Sequence, residues 1–192
     1  GRALSVSGAL DLTADSRASL TGAKIALDHN HLSGALSVAF AGSKPVVNAK
    51  LAASALDFSS LTGGADTASG GQAGDTGWSK SKIDASALGL VNGEITLTAA
   101  SVDLGTLKLG AVDTVTTIDN ARALIKLREI RAFDGVVTGQ VVANNRSGFS
   151  SRITLKARDV EMQRLLGDLA GVTRLSGKAN ADLDLLGSGR SM

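Results

Sequence analysis

Apolar and polar residues alternate along most of the chain with a period of two, that of a β-strand with one apolar and one polar face. Leu4, Val6, Leu10 and Leu12 share one parity; Ala23, Ile25 and Leu27 follow, then Leu32, Leu36, Val38 and Phe40, then Val47, Ala49, Leu51 and Ala53. Asp15-Ser16, Asp28-His29-Asn30 and the stretch from Ala41 to Pro45 interrupt these runs with turn chemistry. Residues 1–58 therefore read as a four-stranded β-meander repeat. From Leu61 to Gly77 the chain is rich in Gly, Ser and Thr and almost without large apolar side chains, so burial cannot offset its ordering entropy. Residues 59–77 read as a flexible linker or loop.

The segment 78–192 opens at Trp78, and Ile83 to Leu90 reads as a short turn or single helical turn. Asn92-Gly93 is a hairpin signal. Alternation then resumes through Ile95, Leu97 and Ala99, Val102 and Leu104, Leu107 and Leu109, and Val115 and Thr117. Further strands are expected over Ala121–Arg131, Phe133–Ala143 and Phe149–Ala157, and a last one carries Leu175, Gly177, Ala179, Ala181, Leu183 and Leu185 on one face. One stretch breaks the period. Met162, Leu165, Leu166 and Leu169 fall at helical spacing between Asp159, read as an N-cap, and Gly171, read as a stop. The expected fold is mainly β: a long, bent antiparallel sheet, a groove or half-barrel, with one amphipathic helix near residues 160–170.

Composition narrows the chemistry. The chain has 192 residues, enough for a real core, and no cysteine, which removes disulfides, zinc-thiolate sites and thiol catalysis. With 20 basic against 18 acidic residues it carries no electrostatic footprint for nucleic acid. The longest run without a charged residue, His29 to Ser43, is too short and too polar for a helical membrane span. No signal-peptide pattern opens the chain, which reads as a piece of a longer protein with its targeting or anchoring parts elsewhere.

Candidate catalytic and metal-binding patterns are thin. His29 and His31 are the only histidines and lie in or beside an expected turn, where a metal would need further ligands from distant residues. Ser79-Lys80-Ser81-Lys82 matches a Ser-x-x-Lys pattern without its companion elements. Gly63-Gly64 and Gly70-Gly71 sit in the polar linker rather than between a strand and a helix, and Asp182 and Asp184 alternate with apolar residues as the solvated side of a strand. No cofactor and no catalytic residues are expected.

From Trp78 onward the order of features resembles the C-terminal region of the AsmA-like family, which includes the TamB-type envelope proteins. The resemblance rests on Gly77-Trp78-Ser79 with Ile83-Asp84, on Leu90 to Ile95 with Ser101-Val102, and on Ile118 to Ala123. It continues through Ala132 to Gly135 with Gly139, Val160 to Leu166, Leu175 to Ala179 and Leu183 to Gly189. Ala121 departs from the Gly expected after Asn, and Phe133-Asp134 replaces an aromatic-Gly pair. Residues 1–58 are similar to the preceding β-repeat of such proteins.

The resemblance implies a periplasmic protein of Gram-negative bacteria, anchored in the inner membrane outside this segment and engaged in phospholipid transport and outer-membrane homeostasis. Its partners would be phospholipid acyl chains, and membranes through parts outside this segment. Acyl chains would then lie on a concave face lined by Ile95, Leu97, Val102, Leu104, Leu107, Leu109, Ile125, Leu127, Val137, Val141, Ile153, Leu155, Leu183 and Leu185. The helix from Val160 to Ala170 would cap it with Met162, Leu165, Leu166 and Leu169. The alternative is a structural β-sandwich scaffold for envelope or outer-membrane protein assembly, with the same residues as an ordinary dry core. Read as a piece cut from a longer protein, the chain would expose unpaired edge strands at its cut ends, so a homodimer by edge pairing is expected of this segment even where the longer protein is monomeric.

Overall fold

A computed structural model describes residues 4–40, 42–59, 86–105, 107–146, 148–170, 174 and 176–188. Strands dominate: β1 (Leu4–Thr13), β2 (Arg17–Leu27), β3 (Asn30–Ala39), β4 (Val46–Ala53), β5 (Leu56–Asp57), β6 (Asn92–Ala99), β7 (Val102–Asp103) and β8 (Lys108–Leu109) come first. β9 (Val112–Asp119), β10 (Arg122–Ala132), β11 (Gly135–Asn144), β12 (Ser150–Glu161) and β13 (Lys178–Ser188) follow, with helix α1 (Met162–Ala170) between the last two and a 3-10 turn at Ser86–Gly89. Ten strands form one open sheet in the order β1-β2-β3-β4-β6-β9-β10-β11-β12-β13, and β5-β7-β8 form a small second sheet. Among the described residues the architecture is thus the mainly β, open sheet with one short helix near residue 165 that the alternation and the helical spacing predict.

Consecutive strands pair antiparallel except at one place: β4 and β6 run parallel, Val46 opposite Asn92 and Ala53 opposite Ala99. That pairing joins the strands before residue 59 and those after residue 91 into a single sheet. It also gives Asn92-Gly93 a role other than the expected hairpin. Both residues open β6, and a Cβ on Gly93, where φ is +146°, would fall 1.7 Å from the carbonyl oxygen of Val47. Glycine is there because the neighbouring backbone passes through the space a side chain would need.

Two-residue hairpin turns lie at Asp28-His29, Asn120-Ala121 and Phe133-Asp134, and in the last two all four residues have φ between 45° and 63°. These are the left-handed conformations that paired turn positions require, held here without glycine. Ala121 and Phe133 therefore both sit in left-handed turn positions.

Bulges set which residues share a face. Register shifts between Leu20 and Ala23, between Leu127 and Ile130 and between Ala157 and Val160 each insert one extra residue into β2, β10 and β12. Such an insertion bends the strand and reverses the parity of everything beyond it. Asp159 is one of the inserted residues, with φ of 55°, and its N–H donates to Asn180 Oδ1 at 2.9 Å. This corrects the expected N-cap: β12 runs on to Glu161, Val160 is a buried strand residue 3% exposed, and the helix starts at Met162.

The small sheet packs on the large one. Leu56, Ala99, Val102 and Val112 form the buried cluster, with Leu32, Ala53, Phe58, Leu97, Leu104, Leu109 and Ile130 around it. Asn30, 7% exposed, ties the layers together: its amide donates to the Asp57 carbonyl at 2.9 Å and accepts the Asp57 N–H at 2.5 Å. A buried side-chain amide that satisfies both backbone groups of one residue fixes β5 against β3 and leaves neither group unpaired.

Candidate functional site

Tracing directly opposed residues from strand to strand gives four rows on one face of the large sheet. The first runs Val6, Ile25, Leu32, Ala53, Ala99, Val112, Ile130, Val137, Ala157, Ala181 across all ten strands. The second runs Ala23, Gly34, Leu51, Leu97, Thr114, Leu127, Gly139, Leu155, Leu183. The third runs Leu10, Leu20, Leu36, Ala49, Ile95, Thr116, Ile125, Val141, Ile153, Leu185. The fourth runs Leu12, Ala18, Val38, Val47, Gly93, Ile118, Ala123, Ala143, Ser151, Gly187. No row contains a charged residue. At about 4.8 Å between strands, each row measures roughly 40 Å along the sheet.

The opposite face carries the charged residues, with Lys50, Thr96, Lys126, Gln140, Thr154 and Asp184 in corresponding positions, and among them the apolar Val115, 4% exposed, Leu124, Val136 and Val142. Val115 and Thr117 belong to this opposite face, contrary to the parity expected of them. Pairing with Leu97 and Leu127 turns Thr114 to the apolar side instead, and its hydroxyl is satisfied by the Leu97 carbonyl at 3.4 Å.

The two ends of the face differ. Over the first row sits the small sheet, with β5 against β3 and β8 against β10, and α1 lies against the end of β12. The 3-10 turn meets β9 and β10 at the far end, where a Cβ on Gly89 would touch Ala121. The larger aliphatic side chains of the second and third rows are half-buried in the middle of the sheet and exposed on its outermost strands. Leu10 and Leu12 on β1 are 65% and 71% exposed, and Leu183 and Leu185 on β13 are 43% and 45% exposed.

The sequence-predicted residues divide accordingly. Ile95, Leu97, Ile125, Leu127, Val137, Val141, Ile153, Leu155, Leu183 and Leu185 all lie in these rows. Val102, Leu104, Leu107 and Leu109 do not. Val102 and Leu109 pair with each other in the small sheet, Leu104 N–H donates to the Leu107 carbonyl, and Leu104 and Leu109 pack against the buried cluster. They are part of the cover rather than the floor. Met162, Leu165 and Leu166 are half-buried on α1, and the side chain of Leu169 lies outside the described residues, as do the linker, Trp78 and Ser79 to Lys82. Missed from the sequence were the matching rows of β1–β4, including Leu20, Leu36 and Leu51. The parity of Leu36 and Leu51 was visible, that of Leu20 was hidden by the bulge in β2, and the continuity of all three with β6 depends on the parallel junction.

Near the covered end, Lys108, Arg131, Phe133 and Arg164 line a depression of about 370 Å³. Each cation has a carboxylate: Lys108 with Asp103 at 3.5 Å, Arg131 with Glu129 at 2.9 Å, and Arg164 with Asp134 at 3.0 Å. The Ser59 hydroxyl and N–H hold the Asp57 carboxyl below its ordinary range, and Arg152, hydrogen-bonded to Asp184, does the same to that carboxyl. His29 sits in the β2–β3 turn and His31 on the polar face opposite Ala26. Among the described residues, no three His, Asp or Glu side chains gather as a metal would need. No helix among them is long and apolar enough to cross a membrane. Comparison with protein-family models, with curated proteins and with solved structures returned no match for this chain.

Proposed function

We propose that the four-row apolar face holds the acyl chains of phospholipids, and that the chain is a non-catalytic, lipid-carrying segment of an AsmA-like envelope protein. The observation that supports this most is the face itself: ten strands wide, without a charged residue, and layered over at one end. An apolar surface of that extent exceeds what a soluble monomer ordinarily leaves open and marks an interaction surface. A groove with one open side suits an amphiphile, because the acyl chain leaves water while the phosphate stays in it and avoids the cost of unpaired burial. The resemblance of residues 78–192 to that family supports the periplasm as the compartment, with an inner-membrane anchor outside this segment.

The test is native mass spectrometry with organic extraction and lipid identification, on protein purified from bacterial membranes in mild detergent. Ile95 suits a disrupting substitution better than Leu97, which also packs against the buried cluster. Phospholipid should co-purify with the parent chain and with Thr96→Asp on the polar face, and be lost in Ile95→Asp. A clean apo mass with no extractable lipid would overturn the reading in favour of a structural scaffold.

A further inference from the structure

Cations from three separate elements converge at the covered end of the sheet. Lys108 of β8, Arg131 of β10 and Arg164 of α1 line the depression of about 370 Å³ there, and the one carboxylate in its wall is Asp134. Asp103 and Glu129 pair with Lys108 and Arg131 from outside that wall. These pairs leave donors over. Arg131 meets Glu129 through Nε and Arg164 meets Asp134 through Nη1, so both Nη groups of Arg131 and Nη2 of Arg164 carry no ion pair. A planar guanidinium presents such donors as a fork that matches the oxygens of a phosphate. With three cations against one carboxylate, the wall favours an anion.

The depression also stands at the head of a strip of the apolar face. Its lining includes Gly135 and Val136, the first residues of β11. From there Val137, Gly139 and Val141 carry β11 through the first, second and third rows. The small sheet meets β10 on one side through β8, and α1 meets β12 on the other, so β11 runs between the two covering elements. Gly135 to Val141 spans roughly 20 Å of strand. A charged seat at one end of an apolar strip is the arrangement an amphiphile with an anionic head requires.

We propose that this depression seats a phosphate group, with Arg131 and Arg164 as the fork and Lys108 as the third cation, and that the phosphate is the head group of a phospholipid whose acyl chains lie along β11. The source of the phosphate rests on the lipid reading of the apolar face; the seat itself rests on the converging cations. All three are exposed, so the phosphate stays at the surface and exchanges only part of its water for charge-assisted hydrogen bonds. Such a site is weakened by salt and gives up its anion readily, as a carrier that releases its cargo needs. A lipid held this way is oriented, with its head at the β10–β11 turn and its tails crossing the rows.

Amide chemical shifts in NMR titrations read the seat directly. Inorganic phosphate should move the amides of Gly110, Gly135 and Arg164 saturably, and less so at higher salt. Arg131→Gln combined with Arg164→Gln should weaken that binding roughly tenfold or more, with an unchanged thermal melt because exposed ion pairs add little stability. Arg152→Gln, which removes a cation of the opposite face, should leave it unaltered. No saturable shift in the parent chain, or an equal one in the double variant, would overturn the proposal. Dihexanoyl phosphatidylglycerol below its micellar concentration then separates the two sources of phosphate. It should move the same amides at roughly tenfold lower concentration or less and extend the shifts to Val137 and Val141. Val141→Asp should abolish that gain while inorganic phosphate still binds. Lipid that binds no tighter than inorganic phosphate would leave the seat standing and overturn its lipid source. Lipid that binds the double arginine variant undiminished would leave the lipid reading standing and overturn the seat.

Discussion

The covered and uncovered parts of the apolar face are made from the same kind of strand, yet they end in different environments. At the covered end Leu56 is 2% exposed and packs with Ala99, Val102 and Val112 under a second layer. A few residues away along the same strands, Ile95, Ile125 and Ile153 face the same side and are only half-buried. Alternation therefore specifies a face, while a second layer decides whether that face is core or surface. Among the described residues the second layer is a sheet of two-residue strands packed over the first row.

This comparison can be broken in order of expected effect. Leu56→Ala removes a buried side chain from the covered end and should lower stability by about 2–5 kcal/mol in urea denaturation. Asn30→Ala leaves the N–H and carbonyl of Asp57 without their partner and should cost about 1–3 kcal/mol, with β5 amides exchanging first in hydrogen-exchange measurements. Leu185→Ala, on the uncovered part and 45% exposed, should cost under about 1 kcal/mol. A loss at Leu185 equal to that at Leu56 would mean the two parts are equally covered.

The smallest effect concerns pH. The Asp184 carboxyl is lowered below its ordinary value by Arg152, so the ionised form is favoured in the folded chain. Its stabilisation is present above the ordinary carboxylate range near pH 4 and is lost as pH falls through the lowered folded value. Because both partners are exposed, solvent screening keeps the effect slight, and Asp184→Asn should leave stability at pH 7 nearly unchanged.

The alternation made the strands legible, and turn residues placed most of their boundaries. Errors cluster where something other than period two was at work. At Asp159 a bulge residue in left-handed conformation looked like an N-cap, since aspartate suits both. At Asn92-Gly93 a glycine demanded by close backbone approach looked like a turn signal. Val102 and Leu109 carried the right parity for a strand, and they are in strands, but parity says nothing about which sheet a strand joins. Within the candidate site, the residues of β10–β12 could be read directly because short connections bring sequence neighbours together, and those of β13 because its alternation is regular. Their continuation through β4 to β1 could not, because no local signal marks a parallel pairing between segments separated by nearly forty residues.

By itself the sequence determined that this chain is built of amphipathic strands with a charge-free aliphatic face, since each residue's polarity and the two-residue repeat are local properties. Only the tertiary structure decided that the two segments share one sheet, that bulges keep the rows aligned across ten strands, and that, among the described residues, a small second sheet layers over one end of the face. Those outcomes depend on pairing and stacking between distant residues, whose energies no single strand carries.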